Sequence, residues 1–378
     1  MTTQHSLTST LAAHILQTIE VAGGWIGFDE YMALALYTPG EGYYANDLRK
    51  FGTMPAGVKG GGSDFVTAPE MTPLFGQTLA VQVAQALAVT QTREVWEFGA
   101  GSGALALQLL DALDALGVAV QTYTIVDLSG TLRERQQQAL AAHSARVRWV
   151  SALPATLTGV LIGNEVLDAM PVKLLVRTGG VWHERGVACE ADPVGGTSRF
   201  VWQDRPTVLR PPVEIAGVHD YLTEIHPQAE AFIRTLAGTL ARGAAFFLDY
   251  GFPEAEYYHV QRHMGTVMCH RGHLADPDPL TAVGLKDITA HVNFTGLALA
   301  AQDAAQDVGT LGYTTQAHFL LNAGLLSKLE HATLAERTMA LKLISEHEMG
   351  ELFKVIGFYK GDPWQALGFA QGDRTPTL

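Results

Sequence analysis

The stretch that most constrains this chain is Val95-Trp-Glu-Phe-Gly-Ala-Gly-Ser-Gly-Ala-Leu105, where a hydrophobic run stops, glycines follow at 99, 101 and 103, and an Ala/Leu-rich helical pattern begins. It predicts a strand, a tight turn and a helix. Glycine tolerates positive φ and carries no Cβ, so a flat ligand can lie almost against the backbone where such a strand ends. Glu97, two residues before the first glycine, points across the C-terminal edge of the sheet, where it can meet a cation or a hydroxyl.

Two cofactors suit this turn. Gly99, Gly101 and Ala104 satisfy the dinucleotide pattern G-x-G-x-x-[GA], in which a helix N-terminus holds a pyrophosphate. S-adenosylmethionine has no phosphate but carries an α-ammonium and a sulfonium, so a carboxylate on the incoming strand favours it and repels a dinucleotide. Glu97 tilts the choice toward S-adenosylmethionine. A nicotinamide-dependent oxidoreductase stands as the alternative enzyme class, and a turn without any ligand as the bland one.

Bulk properties narrow the function classes. The 378 residues suffice for one α/β domain with elaborations. Hydrophobic residues make up 47% and charged residues 17%, with no run of eighteen apolar positions, so no membrane span is expected. The first ten residues lack a basic start followed by an apolar segment, and Cys189 and Cys269 are distant; both facts predict a cytoplasmic protein with reduced thiols. A net charge of −13, from 38 acidic and 25 basic residues, disfavours a nucleic-acid partner, because backbone binding works through Lys and Arg releasing counterions.

Along the chain, residues 9–21 space Leu11, Ile15 and Ile19 as an amphipathic helix, with further helical patterns at 28–36 and 73–88. Residues 1–88 therefore read as a helical extension that includes a loop for the cofactor site. After the glycine turn, a helix at 104–116 and a strand at 121–126 complete a βαβ unit. Asp127 ends that strand 24 positions after Gly103, placed to accept from ribose hydroxyls, with an N-cap for a helix at 131–143 as its other possible role. Leu128 beside it and Ala100 within the turn complete the expected cofactor contacts. A third strand is predicted at 146–150, with 151–153 passing near the adenine.

The fourth strand, 159–163, runs into Asn164-Glu-Val-Leu-Asp-Ala-Met-Pro-Val172. In an open α/β sheet, ligands lie beyond the carboxyl ends of the strands where strand order reverses, so Asn164 and Glu165 should face the transferable methyl group. A helical turn here would put Glu165 and Asp168 on one face; alternatively Asp168 only caps a turn. Short alternating runs at 172–213 predict a β-hairpin insertion. A helix at 224–241 and a buried fifth strand at 244–251, ending in Asp249-Tyr250, follow.

His259, His263, Cys269, His270 and His273 raise a metal site, but a strand at 267–271 sends Cys269 and His270 to opposite faces, and no C-x-x-C or H-E-x-x-H occurs. No metal is expected. Residues 287–294 should open a helix running to 305, and His291 within them can assist a proton transfer near neutral pH. Helices at 316–323 and 334–345, forming an elaboration at 314–347, a closing strand at 353–359 and a loose tail at 361–378 complete the reading.

These motifs resemble the MidA-like family of class I S-adenosylmethionine-dependent methyltransferases, relatives of the mitochondrial complex I assembly methyltransferase that modifies a protein arginine. The resemblance covers roughly 31–359. It rests on Asp64-Phe-Val-Thr-Ala-Pro-Glu70 with Phe75-Gly76, Glu97-Phe-Gly-Ala-Gly-Ser-Gly103, Asn164-Glu-Val-Leu-Asp-Ala-Met-Pro171, Asp249-Tyr-Gly251 and Asp287-Ile-Thr-Ala-His-Val292. It implies an α/β, Rossmann-like domain at 89–360, with a seven-stranded sheet, helices on both faces and the last strand inserted antiparallel. It implies S-adenosylmethionine as cofactor and a protein substrate, an arginine on a partner linked to respiratory complex I such as an NADH dehydrogenase subunit. For that chemistry Glu165 is the carboxylate expected to hold the guanidinium, with Asp168 supporting and His291 accepting a proton. The chain departs from the family at Asp127 with Ser129-Gly130, where Glu and Ser-Pro are expected, and in its glycine-laden 51–63 loop. A non-catalytic assembly factor is the reading outside enzymes.

Overall fold

Strands rich in β-branched and aromatic residues form the centre of the protein. The computed structural model describes residues 2–46, 67–127, 130–190, 198–271 and 274–378. Its central sheet contains β1 (Glu94–Phe98), β2 (Thr122–Val126), β3 (Val147–Val150), β4 (Leu157–Asn164), β5 (Leu240–Phe252), β6 (Val308–Thr315) and β7 (Phe353–Lys360). Their order across the sheet is β3-β2-β1-β4-β5-β7-β6. Strands β1 to β5 pair in parallel, and β7 is wedged antiparallel between β5 and β6. The sheet exceeds the expected seven strands by a two-residue eighth, Val292–Asn293, which pairs with Gly251 and Phe252 at the end of β5. Strand order reverses between β1 and β4, which opens a crevice at their carboxyl ends.

Both faces of the sheet are covered, which is why β4 and β5 read as near-continuous apolar runs. Val160, Ile162, Phe246 and Leu248 face a core shared with helices Leu74–Thr90 and Ala104–Ala115. Leu161, Ala245 and Phe247 face the opposite core, under helices Pro227–Thr239 and Phe294–Ala304.

Several expectations are corrected. The region at 172–213 is more than a hairpin: Lys173–Thr178, Val181–Glu190 and Arg199–Pro206 join Tyr221–Ile225 and Trp25–Gly27 in one five-stranded antiparallel sheet. The N-terminal helices seal one side of it through Leu11, Ile15, Phe28 and Val187. Glu224 lies in a strand, and the helix expected there starts at Pro227, whose fixed φ and missing N–H suit a first helical position. Residues 287–289 are a strand, and the next helix opens only at Phe294, where Asn293 caps the Gly296 N–H. The tail is not loose. Phe369 packs against Phe246 and Phe319, and Gln82 Oε1 accepts from the Gly368 N–H at 2.7 Å.

Candidate active site

A cavity of about 1250 Å³ opens at the crevice. Single small-ligand sites span roughly 300–1,000 Å³, so there is room here for a cofactor and an incoming side chain.

The first end of the cavity is the glycine turn after β1. Gly99, Gly101 and Gly103 have φ of +64°, +52° and +86°, a left-handed path that other L-residues adopt only under strain. A Cβ on Gly99 would stand 3.0 Å from Val166 Cγ2. Glu97 is buried at the end of β1, where Tyr123 donates its hydroxyl to Oε2 at 2.7 Å. Burial, opposed by that bond and reinforced by the charge of Asp127, pushes its carboxyl up to about 7. Gln136 ties this end together: its Nε2 donates to Asp127 Oδ2 at 2.8 Å and to the Gly101 carbonyl at 3.0 Å, and its Oε1 accepts from Trp149 Nε1. Gln108 does the same for the segment entering the site, donating to the Pro69 carbonyl and accepting from the Gly76 N–H. Gly76 is required there, since a Cβ would lie 2.5 Å from Gln108 Cβ.

The second end is built where β4 and β5 stop. No helical turn forms at Glu165, which takes a φ of +53° instead; its carboxylate accepts from Asn164 Nδ2 at 3.0 Å and from the Ala68 N–H. The N–H groups of Val166, Leu167 and Asp168 all donate to Asp249 Oδ2, at 3.1, 2.9 and 3.2 Å. The loop therefore forms a nest around one buried carboxylate, which fixes where Glu165 and Asp168 stand. Asp168 lines the cavity and also braces its own turn: its carboxylate accepts from the Tyr250 hydroxyl at 2.6 Å and from the backbone N–H groups of Asp168 and Ala169. Tyr37 and Tyr44 stack at 5.7 Å, anchored to the Ala169 carbonyl and to Asp287 Oδ2 respectively.

The electrostatics at this end are those of carboxylates short of a cation. Burial first, then the charge of Asp168, pushes the Glu165 carboxyl up to about 8. Burial raises Asp168, against the Tyr250 bond, and raises Asp249, which also feels Asp168 and Glu165. His291 goes the other way, down to about 4, through burial and the positive charges of Arg262 and Lys354. It is neutral at physiological pH, and its Nδ1 is buried without a partner.

The structure thus brings Glu97, Gly99, Ala100, Gly101, Asp127, Asn164, Glu165, Asp168 and His291 onto one cavity, with Gly103 completing the turn. Leu128 and the 51–63 loop lie outside the described residues, as does His273. Among the described residues no group of three potential metal-binding side chains is found. Sequence reading missed Asp249 as an anchor, although a polar residue closing a strand was the available signal. Gln136, inside the run Arg133-Glu-Arg-Gln-Gln-Gln138, offered none.

The residues fit S-adenosylmethionine on the structure's own terms. Asn164 Oδ1 is a buried acceptor without a partner among the described residues, on the cavity that Glu97 and Glu165 also line, and suits an ammonium group. Around the turn the described lining offers Glu97 and Asp127 but no Lys or Arg, which suits a cationic ligand and opposes a pyrophosphate.

Comparison with known proteins agrees. The sequence family described as "Putative S-adenosyl-L-methionine-dependent methyltransferase" matches residues 78–314. A Burkholderia thailandensis protein, crystallised bound to S-adenosyl-homocysteine, superposes with a TM-score of 0.92 at 49% identity over 99% of this chain and 98% of that one. The zebrafish protein named "Protein arginine methyltransferase NDUFAF7, mitochondrial" is 28% identical, over 92% of this chain and 86% of its own length. The human protein of the same name is also 28% identical, over 96% and 84%.

Proposed function

The chain belongs to this family of S-adenosyl-L-methionine-dependent methyltransferases, and on that premise we propose that it methylates a guanidinium nitrogen of a protein arginine. The partner proposed is a protein of respiratory complex I assembly, such as an NADH dehydrogenase subunit; the names of the zebrafish and human relatives support arginine. The observation that carries the reading is the second end of the cavity, where half-buried Glu165 and buried Asp168 stand among Tyr37, Tyr44 and Tyr250.

When bound, S-adenosylmethionine supplies a methyl group activated by its sulfonium charge. The chain's residues supply alignment, which alone accounts for much of the rate in such a transfer. The glycine turn, Glu97, Asp127 and Asn164 hold the donor. A guanidinium is planar and protonated, so Glu165, supported by Asp168, pairs with its N–H groups and orients the reacting nitrogen. A cation beside them offsets the burial and the Asp168 charge that keep the Glu165 carboxyl protonated, so arginine binding expels a proton. Methylation releases another from the guanidinium, and the ionised Glu165 carboxylate paired with it is the nearest acceptor; His291, pushed down to about 4, is too weak a base to hold that proton near neutral pH.

The test is transfer of labelled methyl groups from S-adenosylmethionine into a lysate, with the modified residue mapped by mass spectrometry. Label on arginine side chains is expected. Label confined to lysine, carboxyl or small-molecule acceptors overturns the arginine reading.

A further inference from the structure

Arg262 is the one Lys or Arg among the described residues that line the cavity. It is exposed, forms no salt bridge among the described residues, and its guanidinium lies over the Phe252 ring, 3.7 Å from the centroid. Phe252 ends β5, which is separated from β1 and its glycine turn by β4. Arg262 therefore stands at the substrate end, beside His291, whose ring packs 5.3 Å from Phe252. The second cation near that ring, Lys354, is turned inward onto the carbonyls of Glu351 and Leu352, so it is already satisfied. Val260 and Met264, two residues to either side of Arg262, are 40% and 78% exposed.

A deep acidic floor under a basic lip is a two-charge pattern. The floor suits the target side chain, and the lip suits a negative charge close to it in the same chain. We propose that Arg262 is a specificity residue that selects arginines flanked by Asp or Glu, by pairing with the flanking carboxylate at the mouth of the cavity. This rests on the protein-arginine reading above. Stacking on Phe252 holds the guanidinium in place before substrate arrives, so less side-chain freedom is lost on pairing.

The test uses synthetic peptides containing one arginine, with Glu, Gln or Lys at the adjacent positions, and tritiated S-adenosylmethionine as donor. Wild type, Arg262→Gln and Arg262→Glu are compared by kcat/KM, after calorimetry confirms that each still binds S-adenosylmethionine. Wild type should prefer the Glu-flanked peptide over the Gln-flanked one by roughly fivefold, the scale of a partly exposed ion pair. Arg262→Gln should show no preference, and Arg262→Glu should prefer Lys. An equal Glu preference in wild type and Arg262→Gln overturns the assignment and leaves the arginine reading standing. No labelling of any arginine peptide by any of the three proteins overturns both.

Discussion

The two ends of the cavity are made differently. The donor end comes mainly from one contiguous piece of chain, 94–153, with Asn164 added from the end of β4, and is built on backbone: three glycines at positive φ, closed by Gln136 against Asp127 and the Gly101 carbonyl. The acceptor end is gathered from five segments, carrying Tyr37 and Tyr44, Glu165 and Asp168, Asp249 and Tyr250, Arg262, and His291. It is built on charge, held at a cost in desolvation. Shape written locally is hard to alter without losing the cofactor, whereas a balance of charges drawn from separate segments can be retuned while the donor stays bound.

The largest expected effect separates the ends directly. Glu165→Gln should lower kcat by about 100- to 1000-fold, the scale of removing one preorganised electrostatic contact, with cofactor affinity nearly unchanged by calorimetry. Comparable loss of both would show that the ends are one unit. Next, Asp249→Ala leaves three backbone donors unpaired beneath the loop at 164–171, which should cost about 3 kcal/mol in a denaturant melt and loosen the acceptor end first. Amide exchange at Val166, Leu167 and Asp168 should quicken; unchanged protection there would remove Asp249 as the anchor.

The donor end should respond in the opposite sense. Gly99→Ala forces a Cβ into the left-handed region, a strain of about 1–2 kcal/mol, and should weaken S-adenosylmethionine binding by roughly tenfold. A variant that binds normally but turns over slowly would contradict the division.

The smallest effect is in pH. Glu165's carboxyl sits at about 8, above its ordinary 4.5, so the native protein holds a proton that the unfolded chain releases between those values. Stability should therefore fall as pH rises through that window. Glu165→Gln, which removes the titration, should gain on the order of 1 kcal/mol over wild type between pH 5 and pH 8 in thermal melts. Equal pH dependence in the two proteins would mean that Glu165 is not desolvated.

Legibility followed the range of the interactions. The βαβ unit, Glu97 and Asp127 were readable because a strand, a glycine turn and a helix state their conformations in neighbouring residues. Strand β6 escaped because Gly309, Gly312 and a shift in register beside Leu311 interrupt its alternation, and only pairing with β7 makes it a strand. The tail was misread because Pro and Gly suggest looseness, yet Phe369 finds a slot beside Phe246 and Phe319 that lies far away along the chain.

The amino-acid order by itself determined the βαβ unit, the glycine turn and a row of polar residues at strand ends, since each follows from local backbone preference or a short hydrophobic period. Only the tertiary structure decided that Glu165 sits at a positive φ beside the loop held by the Asp249 carboxylate, that Tyr250 holds Asp168, and that Arg262 stacks on Phe252 at the cavity. Charge and desolvation act through space, so residues more than eighty positions apart set one another's ionisation, and no window along the chain contains them.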